Sequence, residues 1–147
     1  MIETRNDILI EAPVERIFSF ASDTERWPEI LPHYRFVRTL RSDARSSIVE
    51  MSAMRNFIPV RWTAQQWNDA VTPAIRFRHV AGWTRGMDVE WRFERRGNAT
   101  LVSIIHKLAF AFPVAPDFFG KHVVGNFFVH DIAGKTLRRI KELAEYA

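Results

Sequence analysis

From residue 33 to residue 109 the hydrophobic pattern keeps a period of two, broken only by short polar or glycine-bearing links. No other feature constrains the fold as much. A period of two belongs to strands with one buried face. Links this short join only antiparallel neighbours. The pattern predicts strands over 34–42, 46–55, 58–68, 74–80, 86–95 and 99–109. The links are Ser42-Asp43-Ala44, Asn56-Phe57, Ala70-Val71-Thr72-Pro73, Gly82 to Gly86, and Arg96-Gly97-Asn98. Residues 2–11, ending in Ile8-x-Ile10, read as one more strand.

Helical spacing occupies the rest. Ala12-Pro13 opens a helix whose apolar face is Val14, Ile17, Phe18 and Ala21, since proline tolerates a first helical position. Asp23 is a suitable N-cap for a short turn running to Trp27. Pro28 and Pro32 then bracket the compact turn WPEILP. Residues 117–146 carry a long helical pattern, with Asp117 as cap and Val123, Phe127, His130, Ala133, Gly134, Leu137 and Ile140 on one face. The expected fold is α+β, a single domain over 1–147. A curved antiparallel sheet wraps round a long C-terminal helix, with two short helices after the first strand. Such a sheet leaves one end able to stay open as a pocket.

Composition excludes several classes. At 147 residues there is room for one core. With no cysteine there is no disulfide framework, no Cys-ligated zinc and no thiol nucleophile. The start, MIETRNDILIEAP, does not read as a signal peptide, and no apolar run approaches the ~20 residues of a membrane span. A cytoplasmic location is expected. Twelve Phe and five Trp exceed what a small core needs. The 17 Arg against 4 Lys, with a net charge of +4, permit contact with nucleic acid or acidic lipid.

Alternation assigns the faces. Thr100, Val102, Ile104, His106 and Leu108 form one row of the last strand. Met87, Val89, Trp91 and Phe93 face the same way, as do Ile75, Phe77 and His79. Hairpin register through Gly82 to Gly86 sets His79 opposite Met87, Phe77 opposite Val89, Arg78 opposite Asp88 and Arg76 opposite Glu90. The inner face is therefore apolar with two histidines, and the outer face is a ladder of charges. Arg61, Arg76, Arg78 and Arg92 could line up for phosphates. Interleaved Asp88, Glu90 and Glu50 favour a solvated, ion-paired face instead, which argues against nucleic acid. Arg95-Arg96, taken as a loop, and Arg138-Arg139, taken as a helix end, read the same way.

The segments Ala12-Pro13-Val14-x-x-Ile17-Phe18 and Trp27-Pro28-x-x-Leu31-Pro32-x-Tyr34, in this order of elements, resemble the START-like (SRPBCC, helix-grip) superfamily. Within it the chain is most similar to the polyketide cyclase/dehydrase and lipid-transport group, including aromatase/cyclases. It is more distantly similar to coenzyme Q-binding and RatA-type proteins. The resemblance spans nearly the whole chain and implies a deep apolar cavity between sheet and C-terminal helix. Such cavities hold lipids, quinones or aromatic polyketides. In aromatase/cyclases the strand matching 60–68 presents Trp, Ser and Arg to the cavity. Here those positions read Trp62, Ala64 and Gln66. A second cavity Arg, on the next strand, reads His79, while Trp27 and Tyr34 are retained.

These readings give the candidate site. His79 and His106 read either as polar anchors or proton donors for a ligand carbonyl or phenol, or as core histidines bonded to neighbouring groups. Trp27, Tyr34, Met51, Trp62, Gln66, Phe77, Met87, Val89, Trp91 and Ile104 line the cavity. Asn126, Phe127 and His130 come from the helix. Arg55 and Arg85 stand near the entrance, where either could meet ligand oxygens. Trp83, in the glycine-flanked loop, and Phe110-Ala111-Phe112-Pro113 supply exposed rings suited to a lid, or to transient contact with a membrane or an acyl carrier. The histidines lie two strands apart, about 10 Å, and no carboxylate shares their face, so no metal is expected. No cofactor is expected either. The first functional reading is binding of a hydrophobic small molecule, with no covalent step. The alternative is a polyketide cyclase or dehydratase using His79, His106, Gln66 and Tyr34. A weaker one, which the RatA-type resemblance implies, is interaction with ribosomes. Sequence leaves the choice between enzyme and carrier open, and the oligomeric state too.

Overall fold

The computed structural model describes residues 2–55, 57–82, 84–108 and 129–146. Its strands are β1 (Ile2–Ile10), β2 (Tyr34–Ser42), β3 (Ser47–Arg55), β4 (Ile58–Asp69), β5 (Ala74–Gly82), β6 (Met87–Arg96) and β7 (Ala99–Leu108). They form one antiparallel sheet in the order β1-β7-β6-β5-β4-β3-β2. β2 to β7 are the meander that the period of two predicts. β1 returns to pair with β7 along its whole length, from Ile2↔Leu108 to Ile10↔Thr100. Between β1 and β2 come α1 (Val14–Ser22), a 3-10 turn (Thr24–Arg26) and α2 (Trp27–Ile30). The last described helix, α3, spans Val129–Glu145.

The hairpin register follows the charge pattern. Phe77↔Val89, Arg78↔Asp88 and Arg76↔Glu90 pair as expected. At the next step the His79 carbonyl accepts from the Gly86 amide at 2.8 Å, closing the turn. β5 runs to Gly82, two residues past its expected end. Gly82 has φ +101° and packs on β4 so closely that a Cβ would sit 2.9 Å from the Arg61 carbonyl oxygen. Only glycine meets both demands there.

α3 buries Ile132, Ala133, Thr136, Leu137, Ile140 and Ala144. Burying the Leu137 and Ile140 side chains contributes roughly 1.5–3 kcal/mol each. Its C-terminal carbonyls, which no helix can satisfy internally, are taken by Arg16 of α1. Arg16 Nε donates to Ala144 O at 2.8 Å, and Nη2 donates to Tyr146 O at 2.9 Å. Lys141 Nζ donates to Leu9 O at 2.9 Å, and the Glu11 amide donates to Glu145 Oε2 at 2.8 Å. The helix is thus anchored to the β1–α1 corner.

Several local expectations are corrected. Pro13 is the N-cap of α1, one position before its first turn. Asp23 precedes the 3-10 turn but makes no side-chain capping bond. Glu50 pairs with Arg38 at 3.4 Å, because the β3–β4 register sets Arg61 across from Ser52. Arg95-Arg96 end β6 and pair with Glu15 and Glu94, both at 3.1 Å. Arg138-Arg139 lie in the middle of α3, where Arg139 pairs with Glu142 at 3.1 Å. His130, expected on the buried face of the long helix, is exposed. The helix turns Ile132 and Thr136 inward beside Ala133 instead. The cap at Asp117 and the helical pattern before residue 129 lie outside the described residues.

Candidate functional site

The space between the sheet and α3 is an aromatic slot. Trp27, placed by the WPEILP turn, is buried, and its indole Nε1 donates to Phe20 O at 3.1 Å. Its ring meets Tyr34 edge-on at 5.0 Å and lies against Phe77 and Trp91 at 6.2 and 5.9 Å. Tyr34 meets Trp62 edge-on at 6.1 Å. Trp62 stacks on His79 at 5.6 Å with 6° between the planes. Each aromatic pair of this kind adds about 0.5–1.5 kcal/mol beyond burial. Met51, Met87, Val89, Ile104 and His106 complete the sheet side, and Ile132, Ala133 and Thr136 the helix side. The cavity between these side chains is small, about 60 Å³, which is room for a few waters. The slot is real but narrow.

Polar groups enter the wall at three places. His79 Nδ1 hydrogen-bonds with Thr84 Oγ1 at 2.5 Å, tying the wall to the β5–β6 turn. Burial pushes the His79 imidazole down to about 3. Burial, and then the proximity of His79, push His106 down to about 3 as well. Both rings are neutral at physiological pH. Among the described residues no hydrogen bond reaches His106, and its Nδ1 is buried without a partner. The third place is Thr136. Its hydroxyl donates to Ile132 O at 2.8 Å, so its oxygen accepts from His33 Nε2 at 2.9 Å. Burial holds the Tyr34 phenol well above its usual range, so it stays protonated. His33 is pushed down to about 4, chiefly by burial and then by Lys135.

Most of the sheet residues expected in the site therefore meet around one slot. Gln66 does not. It is buried at the far end of β4, where Oε1 accepts from Thr24 Oγ1 at 2.9 Å and Nε2 donates to Ser22 O and Asn68 Oδ1 at 3.1 and 2.9 Å. Those bonds fasten the link between α1 and α2 to the sheet. His130 is likewise outside the slot, within 3.2 Å of Asn6 Nδ2 through Nδ1. Arg85 is exposed in the β5–β6 turn and does not line the slot. Trp83, Asn126, Phe127 and the 110–113 segment lie outside the described residues, as does the side chain of Arg55. Ile132 and Thr136 were missed, although their i, i+4 spacing was readable. Thr136 looked polar, but its bond to the carbonyl four residues back lets it sit buried.

The outer face is ion-paired. Arg76–Glu90 and Arg78–Asp88 lie at 3.4 and 3.6 Å, and Arg92 also pairs with Glu90. Among the described residues no group of three or more His, Cys, Asp or Glu could hold a metal ion, and no helix is long and apolar enough to cross a membrane.

Comparison with known proteins agrees with this architecture. A putative polyketide cyclase of Streptomyces cyaneus is 28% identical over 100 residues, which span 66% of this chain and 66% of that protein. TTHA0849 of Thermus thermophilus superposes with a TM-score of 0.83 at 21% identity, covering 99% of each chain. The Zhui aromatase/cyclase of Streptomyces sp. R1128 superposes with a TM-score of 0.81 at 18% identity, covering 97% of this chain and 93% of its own. At these identities the two structures establish the shared fold. The family model described as polyketide cyclase / dehydrase and lipid transport matches residues 10–127, and the chain belongs to that family.

Proposed function

We propose that the protein binds a flat, largely apolar ring compound in the slot between sheet and α3, held by hydrogen bonds to neutral imidazoles. The observation that carries this reading is the pair His79 and His106, both pushed down to about 3, in a wall of Trp and Tyr rings. A general acid or base works best with a pKa near the operating pH. At pH 7 these rings hold no extra proton to give and are weak bases. As hydrogen-bonding anchors they cost nothing to keep neutral. The Trp and Tyr rings that line the slot favour a flat ring compound, which can stack on them.

A second reading, cyclisation of a poly-β-ketone, is supported by the similarity to a putative polyketide cyclase and to an aromatase/cyclase of Streptomyces. Tyr34, His79 and His106 would then orient the chain, since such chemistry draws heavily on positioning. Gln66, committed to the α1–α2 link, would take no part.

Titration with 1-aminoanthracene, a neutral apolar fluorophore, tests binding. Saturable 1:1 uptake that quenches tryptophan fluorescence and weakens in Trp62→Ala is expected. Absence of saturable uptake, together with no small molecule retained in native mass spectrometry, would overturn it. For the second reading, a poly-β-ketone thioester should be turned over by the native chain and not by His79→Ala or His106→Ala.

A further inference from the structure

Among the described residues, three buried side-chain polar atoms lack any hydrogen-bond partner: Thr4 Oγ1, Asn6 Oδ1 and His106 Nδ1. They are neighbours. Thr4 pairs across the β1–β7 ladder with His106, and Asn6 pairs with Ile104. Residues directly opposite in an antiparallel pair share a face with Cβ atoms about 5 Å apart. Both partners, His106 and Ile104, line the slot. The three atoms thus fall on one stretch of the β1–β7 ladder, a niche beside the slot and against the first turn of α3. Asn6 is itself 9% exposed, and its Nδ2 is already used on the His130 ring nitrogen and carbonyl, at 3.2 and 3.4 Å. Buried polar atoms are paired in the great majority of cases, so three orphans in one place call for a group that pairs them.

Resting on the binding role proposed above, we infer that this niche receives a hydroxyl group of the bound ring compound. The acceptor inventory selects a hydroxyl. Asn6 Oδ1 can only accept, so the incoming group must donate. His106 Nδ1 and Thr4 Oγ1 can each donate or accept, so a group that does both can serve all three. A carbonyl lacks the proton that Asn6 requires. A carboxylate lacks it too and would meet a neutral imidazole. A phenol supplies both roles and places its ring among the aromatic walls. The niche lies on β1 and β7, away from the Trp62 to Gln66 strand.

The test compares two probes of one shape, 1-naphthol and 1-methylnaphthalene, by tryptophan quenching of the full chain. The native chain should prefer 1-naphthol by about tenfold or more, the worth of one or two net hydrogen bonds. Thr4→Val, nearly isosteric, should cut the preference severalfold. Thr4 does not line the slot, so Thr4→Val should leave 1-methylnaphthalene binding intact. His106→Phe should abolish the preference, read as the ratio of the two probes' affinities. Equal binding of both probes by the native chain would overturn the niche and spare the slot. So would a preference unchanged in both variants, which would mean that the niche merely holds ordered water. If neither probe binds, the binding role itself fails and this inference falls with it.

Discussion

The neutral histidines make stability depend on pH in a specific window. His79 and His106 sit near 3 in the folded protein, against an ordinary value of about 6.5 in the unfolded chain. Above 6.5 neither state is protonated and the two rings cost nothing. As pH falls from 6.5 towards 3 the unfolded chain takes up protons that the folded chain refuses, so stability is lost. Between pH 7 and pH 5 each ring costs the fold about 2 kcal/mol, from roughly 1.4 units at 1.36 kcal/mol per unit. Together they remove about 4 kcal/mol, a large share of the 5–15 kcal/mol that ordinary domains possess. His33, pushed down to about 4, adds a comparable amount of the same sign over this window. The carboxylates that the structure lowers, Asp7 and Asp69 among them, act below about pH 4 and leave the window to histidine. Urea titrations at pH 7, 6, 5.5 and 5 should show the loss, and the double variant His79→Phe/His106→Phe should show it reduced by more than half. The comparison is of slopes, so a lower overall stability of the variant does not disturb it. A variant that loses stability in parallel with the native chain would refute the reasoning. So would imidazole NMR shifts of the folded protein that titrate near 6.5 at both sites.

Three further outcomes follow from the same contacts. Thr136→Val leaves the His33 ring nitrogen without its acceptor, and should lower stability by about 1–3 kcal/mol in urea denaturation. Gln66→Leu should cost a similar ~1–3 kcal/mol, because Thr24 and Ser22 lose their tie to β4, while 1-aminoanthracene affinity is unchanged. Glu90→Gln removes the partner of both Arg76 and Arg92 on the exposed sheet face, and should shift stability by no more than about 1 kcal/mol at physiological salt.

Sequence alone determined the meander. The order of β2 to β7, the β5–β6 register and the inward row from Phe77 to His106 follow from a period of two, short links, and charges that match only in one register. These signals are local, and sheet geometry turns each into a placement. The aromatic excess proved equally legible: Trp27, Tyr34, Trp62 and Trp91 gather in the slot. What tertiary structure decided is how the polar residues are used. Gln66, His79 and His106 all alternate inward, and nothing in their spacing separates them. Contact with Thr24 and Ser22 makes Gln66 a fastening, contact with Thr84 fixes His79, and the absence of any partner among the described residues leaves His106 open. Hydrogen bonding needs atoms within about 3 Å, and those atoms come from elements far apart in the chain. For the same reason Thr4 and Asn6, unremarkable on an edge strand, became part of a site only once β1 closed against β7.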